Sequence, residues 1–247
     1  MFQDPILFQL HHGGETGDLE FWCQLAEEFE GPVLELGCGT GRLMKPLARA
    51  GRTIVGLDLS LPALTYLKNS LAGSSIESCN VFQTRIDQFH LSRKFSLIFL
   101  ACNTLSTLPR ISRKNTYLKV FDHLDSDGVF AASFPNPSYM RSLPAEGDSE
   151  VEETLIHPLN GNPIQVSSEW HRKSKSIIFD WHYDLLLPDG QVIRQTVSTE
   201  HSLAGVEDYL VELYAAGLEP FHIFGDYQRS ELDKSSPFVI LLAKKAA

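Results

Sequence analysis

The stretch that decides the fold is VLELGCGTGR, residues 33–42. A short apolar strand at 33–36 runs directly into three glycines at alternate positions, Gly37, Gly39 and Gly41. Glycine lets the backbone turn tightly and lets a ligand approach it closely, and three glycines exceed what one structural turn needs. We therefore expect a ligand to bind at the loop that follows this strand.

Outward from this loop, apolar strands alternate with helical patterns through about the first 135 residues. Strands are predicted at 33–36, 53–57, 76–83, 95–101 and 128–134. Strands separated by helices at this spacing form right-handed βαβ units, which build a parallel sheet with helices on both faces. The sequence thus predicts a doubly wound α/β fold for this part of the chain.

The pattern changes between about residues 151 and 203, where apolar and polar residues alternate with period two. This period indicates antiparallel strands, and Pro-Asp-Gly at 188–190 is typical of a hairpin turn. On one of these strands Phe179, Trp181 and Tyr183 share a face. An amphipathic helix and two last strands follow, and we expect those strands to close the main sheet.

The composition excludes several function classes. Lys plus Arg number 21 against 31 Asp plus Glu, a formal charge of −10, whereas a nucleic-acid binder needs a basic face. No apolar run reaches the roughly 20 residues that span a bilayer, and the N-terminus does not resemble a signal peptide. The four cysteines form no C-x-x-C pair, so no metal site is predicted. We expect a cytoplasmic protein that acts on a small molecule, with no nucleic-acid or membrane partner.

The residues around the loop discriminate between two classes of nucleotide ligand. A dinucleotide fingerprint, G-x-G-x-x-G, would have its third glycine where Arg42 stands. Glu35 lies inside the strand just before the loop, where a carboxylate would repel a pyrophosphate but suits a ligand that carries an ammonium group and a sulfonium. Asp58, at the end of the second strand, could accept hydrogen bonds from two ribose hydroxyls in either class.

The same segments, in their order, carry a resemblance to a known family. ELGCGTG at 35–41 and GLDLS at 56–60 are similar to the first two motifs of class I S-adenosylmethionine-dependent methyltransferases. The similarity extends through FSLIFLACNTL at 95–105 and LDSDGVF at 124–130, and YAAGL at 214–218 resembles the family's last helix. The resemblance implies S-adenosyl-L-methionine as the cofactor. It also implies methyl transfer to a nitrogen or oxygen of a small-molecule acceptor.

This resemblance completes the expected architecture. We expect a Rossmann-like, mixed seven-stranded sheet, doubly wound, with an antiparallel β insert after strand five. Residues 1–150 would form the cofactor-binding part with an N-terminal helical segment. Residues 151–203 would form the insert, used as a lid or in a homodimer, and residues 204–247 would supply the last helix and the closing strands.

The resemblance also implies which residues hold the cofactor. The backbone around Gly37 to Gly39 would cradle the methionine part, and the carbonyl of Ala101 would meet its amino group. Asp58 would hold the ribose hydroxyls, and Leu59 would pack on the adenine. The full expected set is Glu35, Gly37, Cys38, Gly39, Asp58, Leu59, Ile86, Ala101 and Asn103.

One position departs from the family pattern. The family usually has an acidic residue after strand three, near the adenine amino group, and the alignment places Arg85 there. Asp87 lies two residues later and could substitute for it. Alternatively, the backbone of Ile86 makes this contact.

We expect the acceptor to bind at segments outside the regular βαβ pattern, because loops on a rigid scaffold usually determine specificity. Among the nine histidines, the resemblance favours His11 as a site residue, because the family's N-terminal segment often closes over the cofactor. His11 and Tyr139 are the candidates for a catalytic base. We expect Phe8, His11, Tyr139 and Trp181 to lie near the transferable methyl. The rival arrangement turns the insert away from the cofactor and uses its aromatic face for dimerisation.

Two other functions remain open on the sequence. The chain could be a cofactor-binding scaffold whose insert recruits a protein partner, since no residue stands out as a catalytic base. It could also be a nicotinamide-dependent oxidoreductase, a class that Gly37, Gly39 and Asp58 would roughly fit.

Overall fold

A mixed seven-stranded sheet forms the centre of the protein. The computed structural model describes residues 4–14, 17–72 and 79–246. The strands of this sheet are β1 (Val33–Leu36), β2 (Ile54–Asp58), β3 (Cys79–Gln83), β4 (Phe95–Leu100), β5 (Leu124–Pro135), β10 (Leu218–Phe224) and β11 (Phe238–Lys245). Their spatial order is β10-β11-β5-β4-β1-β2-β3, with β1 to β5 parallel and β11 antiparallel to both its neighbours. The predicted doubly wound fold with two closing strands is confirmed.

Helices cover both faces of this sheet. They are α1 (Pro5–His12), α2 (Leu19–Glu28), α3 (Met44–Arg49), α4 (Leu61–Leu71), α5 (Thr104–Thr107), α6 (Arg110–His123), α7 (Pro137–Ser142) and α8 (Val206–Ala215). One core packs α6 and α8 against the sheet, and a second packs α2, α3 and α4 against its other face. Because both faces are buried, the central strands β1 and β4 are apolar almost without interruption. None of the helices in the described ranges is long and apolar enough to cross a membrane.

The insert after β5 is a separate four-stranded antiparallel sheet. Its strands follow one another in chain order: β6 (Glu146–Ile156), β7 (Pro163–Arg172), β8 (Ser176–Leu186) and β9 (Val192–Ser202). The predicted hairpin turn joins β8 to β9, where Gly190 adopts a φ of 87°. The strands begin at residue 146 rather than 151, because pairing with β7 extends back to Glu146. Residues 76–78 of the predicted third strand lie outside the described residues.

The aromatic face of the insert packs on α1 of the same chain. Leu7 of α1 is buried together with Ile164, Val166, Tyr183 and Val197, and Trp181 packs against this cluster. Alternate residues of a strand share a face, so His201 on β9 lies on the same side as Val197. We call this side, defined by Phe179, Trp181, Tyr183, Val197 and His201, the inner face of the insert.

Candidate functional site

The glycine loop lies at the carboxyl edge of the sheet, where β1 ends. Gly37, Gly39 and Gly41 all have positive φ, at 78°, 51° and 82°, which explains why this turn requires glycine. The N–H groups of Gly37 and Cys38 donate to the carbonyl of Leu57 at 2.7 and 3.0 Å. The N–H of Gly39 donates to Asp58 Oδ2 at 2.8 Å. With these donors bonded inside the chain, the loop suits a cation better than a pyrophosphate, which needs free N–H groups.

Asp58 ties the loop to the helix that follows β2. Its Oδ2 accepts from Gly39, and its Oδ1 accepts from the N–H of Ser60 at 2.7 Å. Ser60 in turn caps α4 by accepting from the N–H of Ala63. A carboxylate has about four lone-pair sites, so two remain for a ligand beside the loop.

Three buried oxygen atoms near the loop have no hydrogen-bond partner among the described residues: Glu35 Oε2, Thr40 Oγ1 and Asn103 Oδ1. Glu35 is only 4% exposed, and burial raises the pKa of its carboxyl group well above the ordinary value. Buried polar atoms are normally bonded, so unpaired acceptors at one edge of a sheet indicate a ligand that brings hydrogen-bond donors. The ammonium group of S-adenosylmethionine would supply such donors, and the residues present fit that cofactor.

The backbone at the end of β4 is strained beside these acceptors. Cys102 and Asn103 both have positive φ, at 55° and 61°, although neither is glycine. Such conformations cost free energy and cluster at ligand sites. The carbonyl of Ala101 accepts only a long bond, 3.4 Å, from the N–H of Thr104. The turn therefore presents acceptors next to the glycine loop.

A buried ion pair supports the loop from the side. Arg42 donates to both carboxylate oxygens of Asp18, at 2.5 and 2.7 Å, and to Cys102 Sγ at 2.9 Å. The indole N–H of Trp22 also donates to Asp18, at 3.0 Å. Asp18 directly precedes α2, yet its side chain makes no capping bond, because its carboxylate is held by Arg42.

The adenine side of the site shows how the departure at Arg85 is accommodated. Arg85 donates to both oxygens of Asp87, each at 2.9 Å. This hydrogen bond lowers the pKa of Asp87 despite the partial burial of the carboxyl group. Leu59 is 45% exposed at the same edge, although it is apolar. Asp87 is thus paired with Arg85, and both Asp87 and the backbone of Ile86 stay candidates for the contact to an adenine.

Helix α1 lies over the glycine loop. A methyl group added at Gly39 would come within 3.5 Å of the Phe8 ring. The Phe8 and His12 rings are 5.1 Å apart on the same helix. Phe8 thus lies against the backbone of the candidate cofactor loop, and its place near the transferable methyl stays a prediction.

The same helix also meets the insert. His11 Nδ1 is 2.8 Å from the hydroxyl of Tyr183, and the His11 ring lies edge-on to Trp181 at 4.8 Å. Carboxylate oxygens of Glu152 and Glu153 lie 3.9 and 3.8 Å from His11 Nε2. Helix α1 therefore places Phe8 at the glycine loop and His11 beside Trp181 and two carboxylates of the insert.

Tyr139 is placed differently. It lies on α7, is 36% exposed, and its carbonyl accepts from the Ser142 hydroxyl at 2.7 Å. Among the described contacts, no hydrogen bond or ring contact joins its side chain to His11 or Trp181. A role for Tyr139 stays a prediction from the sequence.

Several residues of the site carried no signal in the sequence. The Arg42–Asp18 pair and the Tyr183–His11 contact join residues 24 and 172 positions apart. A hydrogen bond at 2.8 Å also joins Ser106 of α5 to His201 of the insert, 95 positions apart. Within the described ranges no group of three or more His, Cys, Asp or Glu side chains could hold a metal ion.

Comparison with known proteins identifies relatives of the fold. Residues 33–128 match a family model described as a methyltransferase domain. A curated protein of Geobacillus sp. (strain WCH70), named as a putative methyltransferase, is 22% identical over 218 residues. That alignment covers 86% of this chain and 84% of the relative.

Two solved structures are similar over nearly the whole chain. An S-adenosylmethionine-dependent methyltransferase from Clostridium acetobutylicum ATCC 824 superposes with a TM-score of 0.81 at 16% identity, covering 98% of this chain and 97% of that one. CalS10, an amino pentose methyltransferase from Micromonospora echinaspora with bound S-adenosylmethionine, has a TM-score of 0.71 at 17% identity. The alignment covers 98% of this chain and 97% of the CalS10 chain.

Proposed function

We propose that this chain is a class I S-adenosylmethionine-dependent methyltransferase that methylates an amine nitrogen of a small-molecule acceptor, a proposal supported by its methyltransferase-domain match and its similar structures. The observation that carries the proposal is the position of helix α1 between the glycine loop and the insert. Phe8 contacts the glycine loop, while His11 lies beside the Trp181 ring and two glutamates of the insert. Carboxylates attract a protonated amine, and an aromatic ring favours a cation over its face. The likeness to an amino pentose methyltransferase agrees with this acceptor class.

The cofactor would be held by the residues that the sequence implied. Glu35, Asn103 and the carbonyl of Ala101 would accept from its ammonium group, and the loop at 37–39 would run along its methionine part. The two remaining lone pairs of Asp58 would take the ribose hydroxyls. Leu59 and the backbone of Ile86 would contact the adenine.

Methyl transfer from a sulfonium requires little covalent participation by the protein. Bound S-adenosylmethionine supplies the methyl group. The chain must align the acceptor nitrogen with the methyl carbon and sulfur and exclude water, which approximates an intramolecular reaction. The lone pair on nitrogen forms the new bond while the electron pair of the broken bond stays on sulfur. Phe8 and Trp181 would exclude water from the line of attack.

A matched panel tests the acceptor class. Primary amines, amino sugars and amino acids are each paired with the corresponding alcohol, and release of S-adenosylhomocysteine is measured. We expect turnover with at least one amine and none with its alcohol partner. Turnover confined to alcohols would overturn the nitrogen assignment, and no turnover with intact cofactor binding would favour a scaffold.

Trp181→Ala tests whether the insert lines the acceptor site. We expect the KM of the acceptor amine to rise about tenfold, because the loss of an aromatic contact in a partly buried site is worth about 1.4 kcal/mol. The affinity for S-adenosylhomocysteine, measured by calorimetry, should stay within about twofold of wild type. Ile193→Ala, at an exposed position of β9, is the control. Unchanged kinetics with an altered oligomeric state would favour dimerisation instead.

Cofactor binding should release a proton from Glu35. Burial raises the pKa of this carboxyl well above its ordinary value, which favours its protonated form in the free protein. A cationic group beside it favours the ionised form, so binding of S-adenosylmethionine at pH 7 should release about one proton. The affinity should accordingly increase as the pH rises.

Titration calorimetry in buffers of different ionisation enthalpy measures this proton. Glu35→Gln should abolish the release, whereas Glu30→Gln, at an exposed residue, should leave it unchanged. Proton uptake by the wild type, or the same release from the Glu35→Gln protein, would contradict the assignment of Glu35 to the ammonium group.

The structure also bears on the alternative functions. A nicotinamide dinucleotide would need loop N–H groups for its pyrophosphate, and those of Gly37, Cys38 and Gly39 are bonded within the chain. Since α1 covers the inner face of the insert, we propose a lid over the acceptor for that face rather than a dimer contact.

A further inference from the structure

A hydrogen-bonded chain links the cofactor end of β4 to a histidine of the insert. The Ser106 hydroxyl donates to the carbonyl of Asn103 at 2.8 Å, and Ser106 Oγ is 2.8 Å from His201 Nδ1. The two contacts cross from the main sheet to the inner face of the insert. Neither Ser106 nor His201 has a part in the cofactor site as described so far.

These two contacts favour one tautomer of His201. The carbonyl of Asn103 can only accept, and the hydroxyl of Ser106 is placed to donate to it. Ser106 Oγ is then an acceptor toward His201, and the hydrogen of that bond comes from Nδ1. In the neutral ring Nε2 consequently holds a lone pair.

The neighbours of Ser106 connect His201 to the cofactor end of the sheet. Asn103 carries one of the unpaired buried oxygens, and Thr104 Oγ1 would be 3.6 Å from a methyl group placed at Gly37. Ser106 lies two residues further along α5. On its other side, the His201 ring is edge-on to Phe179 at 5.8 Å, on the same face as Trp181. A chain of contacts thus runs from the carboxyl end of β4 through Ser106 to His201 on the inner face of the insert.

We infer that His201 Nε2 accepts a hydrogen bond from the N–H of the reacting acceptor nitrogen and so points its lone pair at the methyl group, an assignment that rests on the proposed function. As the N–C bond forms and the S–C bond breaks, positive charge passes from sulfur to nitrogen. The N–H becomes a stronger donor, so this hydrogen bond is stronger in the transition state than in the ground state. The product leaves with its proton, and no separate base is required.

The environment of His201 keeps its ring neutral for this role. Burial lowers the pKa of His201 to about 4, because the imidazolium form is poorly solvated there. A protonated ring would have no acceptor and would repel the developing charge. The groups that pack on it are Ser106 and the Phe179 ring, neither of which carries a charge.

Kinetics of variants in the full-length protein test the inference. The probe is the amine of the panel with the highest rate, at saturating S-adenosylmethionine. His201→Leu should lower kcat about 30-fold with little change in KM, because the lost interaction strengthens only in the transition state. His201→Gln, which keeps an acceptor oxygen, should recover much of kcat. His182→Leu, on the outer side of the same sheet, is the control and should change kcat less than about twofold.

Ser106 provides a second, independent variant. Ser106→Ala should lower kcat about fivefold by releasing the ring from one tautomer, and Ser106→Thr should restore it because the hydroxyl is kept. Thermal unfolding and S-adenosylhomocysteine binding, measured on every variant, separate this effect from misfolding. Unchanged kcat in a folded His201→Leu protein would overturn the inference while leaving the proposed function intact.

A spectroscopic measurement needs no acceptor. Two-bond ¹⁵N–¹H correlation at pH 7 should show His201 protonated at Nδ1 in the wild type, with this pattern lost in Ser106→Ala. An Nε2–H tautomer or an imidazolium in the wild type would overturn the inference. If no amine of the panel is turned over, the proposed function fails, and this measurement still decides the tautomer on which the inference depends.

Discussion

Asp58→Ala is expected to weaken the binding of S-adenosylhomocysteine about 100-fold, close to 2.7 kcal/mol, the largest loss of affinity among the variants considered. The carboxylate acts twice in the proposed site. It would hold the ribose hydroxyls, and it already accepts from the N–H groups of Gly39 and Ser60, which sets the shape of the loop. Calorimetry with S-adenosylhomocysteine measures the loss without any acceptor.

Two further variants sharpen this test. Asp58→Asn should also bind weakly, because both carboxylate oxygens accept backbone donors and an amide would set its own N–H against one of them. Asp127→Ala removes an exposed carboxylate at the amino end of β5, on the opposite edge of the sheet, and should bind normally. Wild-type affinity in Asp58→Ala would refute the ribose assignment.

Arg42→Met is expected to cost about 3 kcal/mol of unfolding free energy and to lower Tm by about 6–12 °C. Methionine preserves much of the volume, but it leaves the Asp18 carboxylate buried without its cationic partner. The side chains of Arg42 and Asp18 are 10% and 8% exposed, so water cannot replace the lost bonds. Thermal and urea unfolding measure the change.

The double variant is the control for this ion pair. Adding Asp18→Asn to the Arg42→Met protein removes the unpaired charge and should recover much of the stability, because an isolated buried charge costs more than the absence of the pair. The amide oxygen introduced by Asp18→Asn can still accept from the indole of Trp22. A double variant no more stable than Arg42→Met would show that the loss comes from packing of the arginine stem.

Much of the fold could be predicted because its signals are local. The strand at 33–36, the alternate glycines and Asp58 follow from hydrophobic periodicity and from the need for positive φ at a tight turn. The order of such segments implied a parallel sheet, and the carboxyl edge of that sheet placed Glu35, Gly39 and Asp58 together. The insert was also predicted, because period-two alternation is local, although its pairing extended the first strand back to Glu146.

Roles that depend on a partner's position were not determined by the local sequence. Asp18 has the sequence context of a helix cap, yet its carboxylate is held by Arg42 across the loop. Asp87 looked available to an adenine, and instead it is paired with Arg85. In both cases a nearby guanidinium offers two charge-assisted hydrogen bonds, which exceed the gain from a single bond elsewhere.

What the sequence by itself determined is the chain's cofactor side: the glycine loop, the acidic residues that flank it and the sheet that presents them. Only the tertiary structure brought together the residues proposed for the acceptor side, where α1 links the Gly39 loop to Trp181 and where Ser106 contacts His201. The physical reason is sequence distance. A loop between adjacent elements is specified by backbone preferences of neighbouring residues, whereas a contact between residues 95 positions apart depends on how two sheets pack, and no local preference encodes that packing.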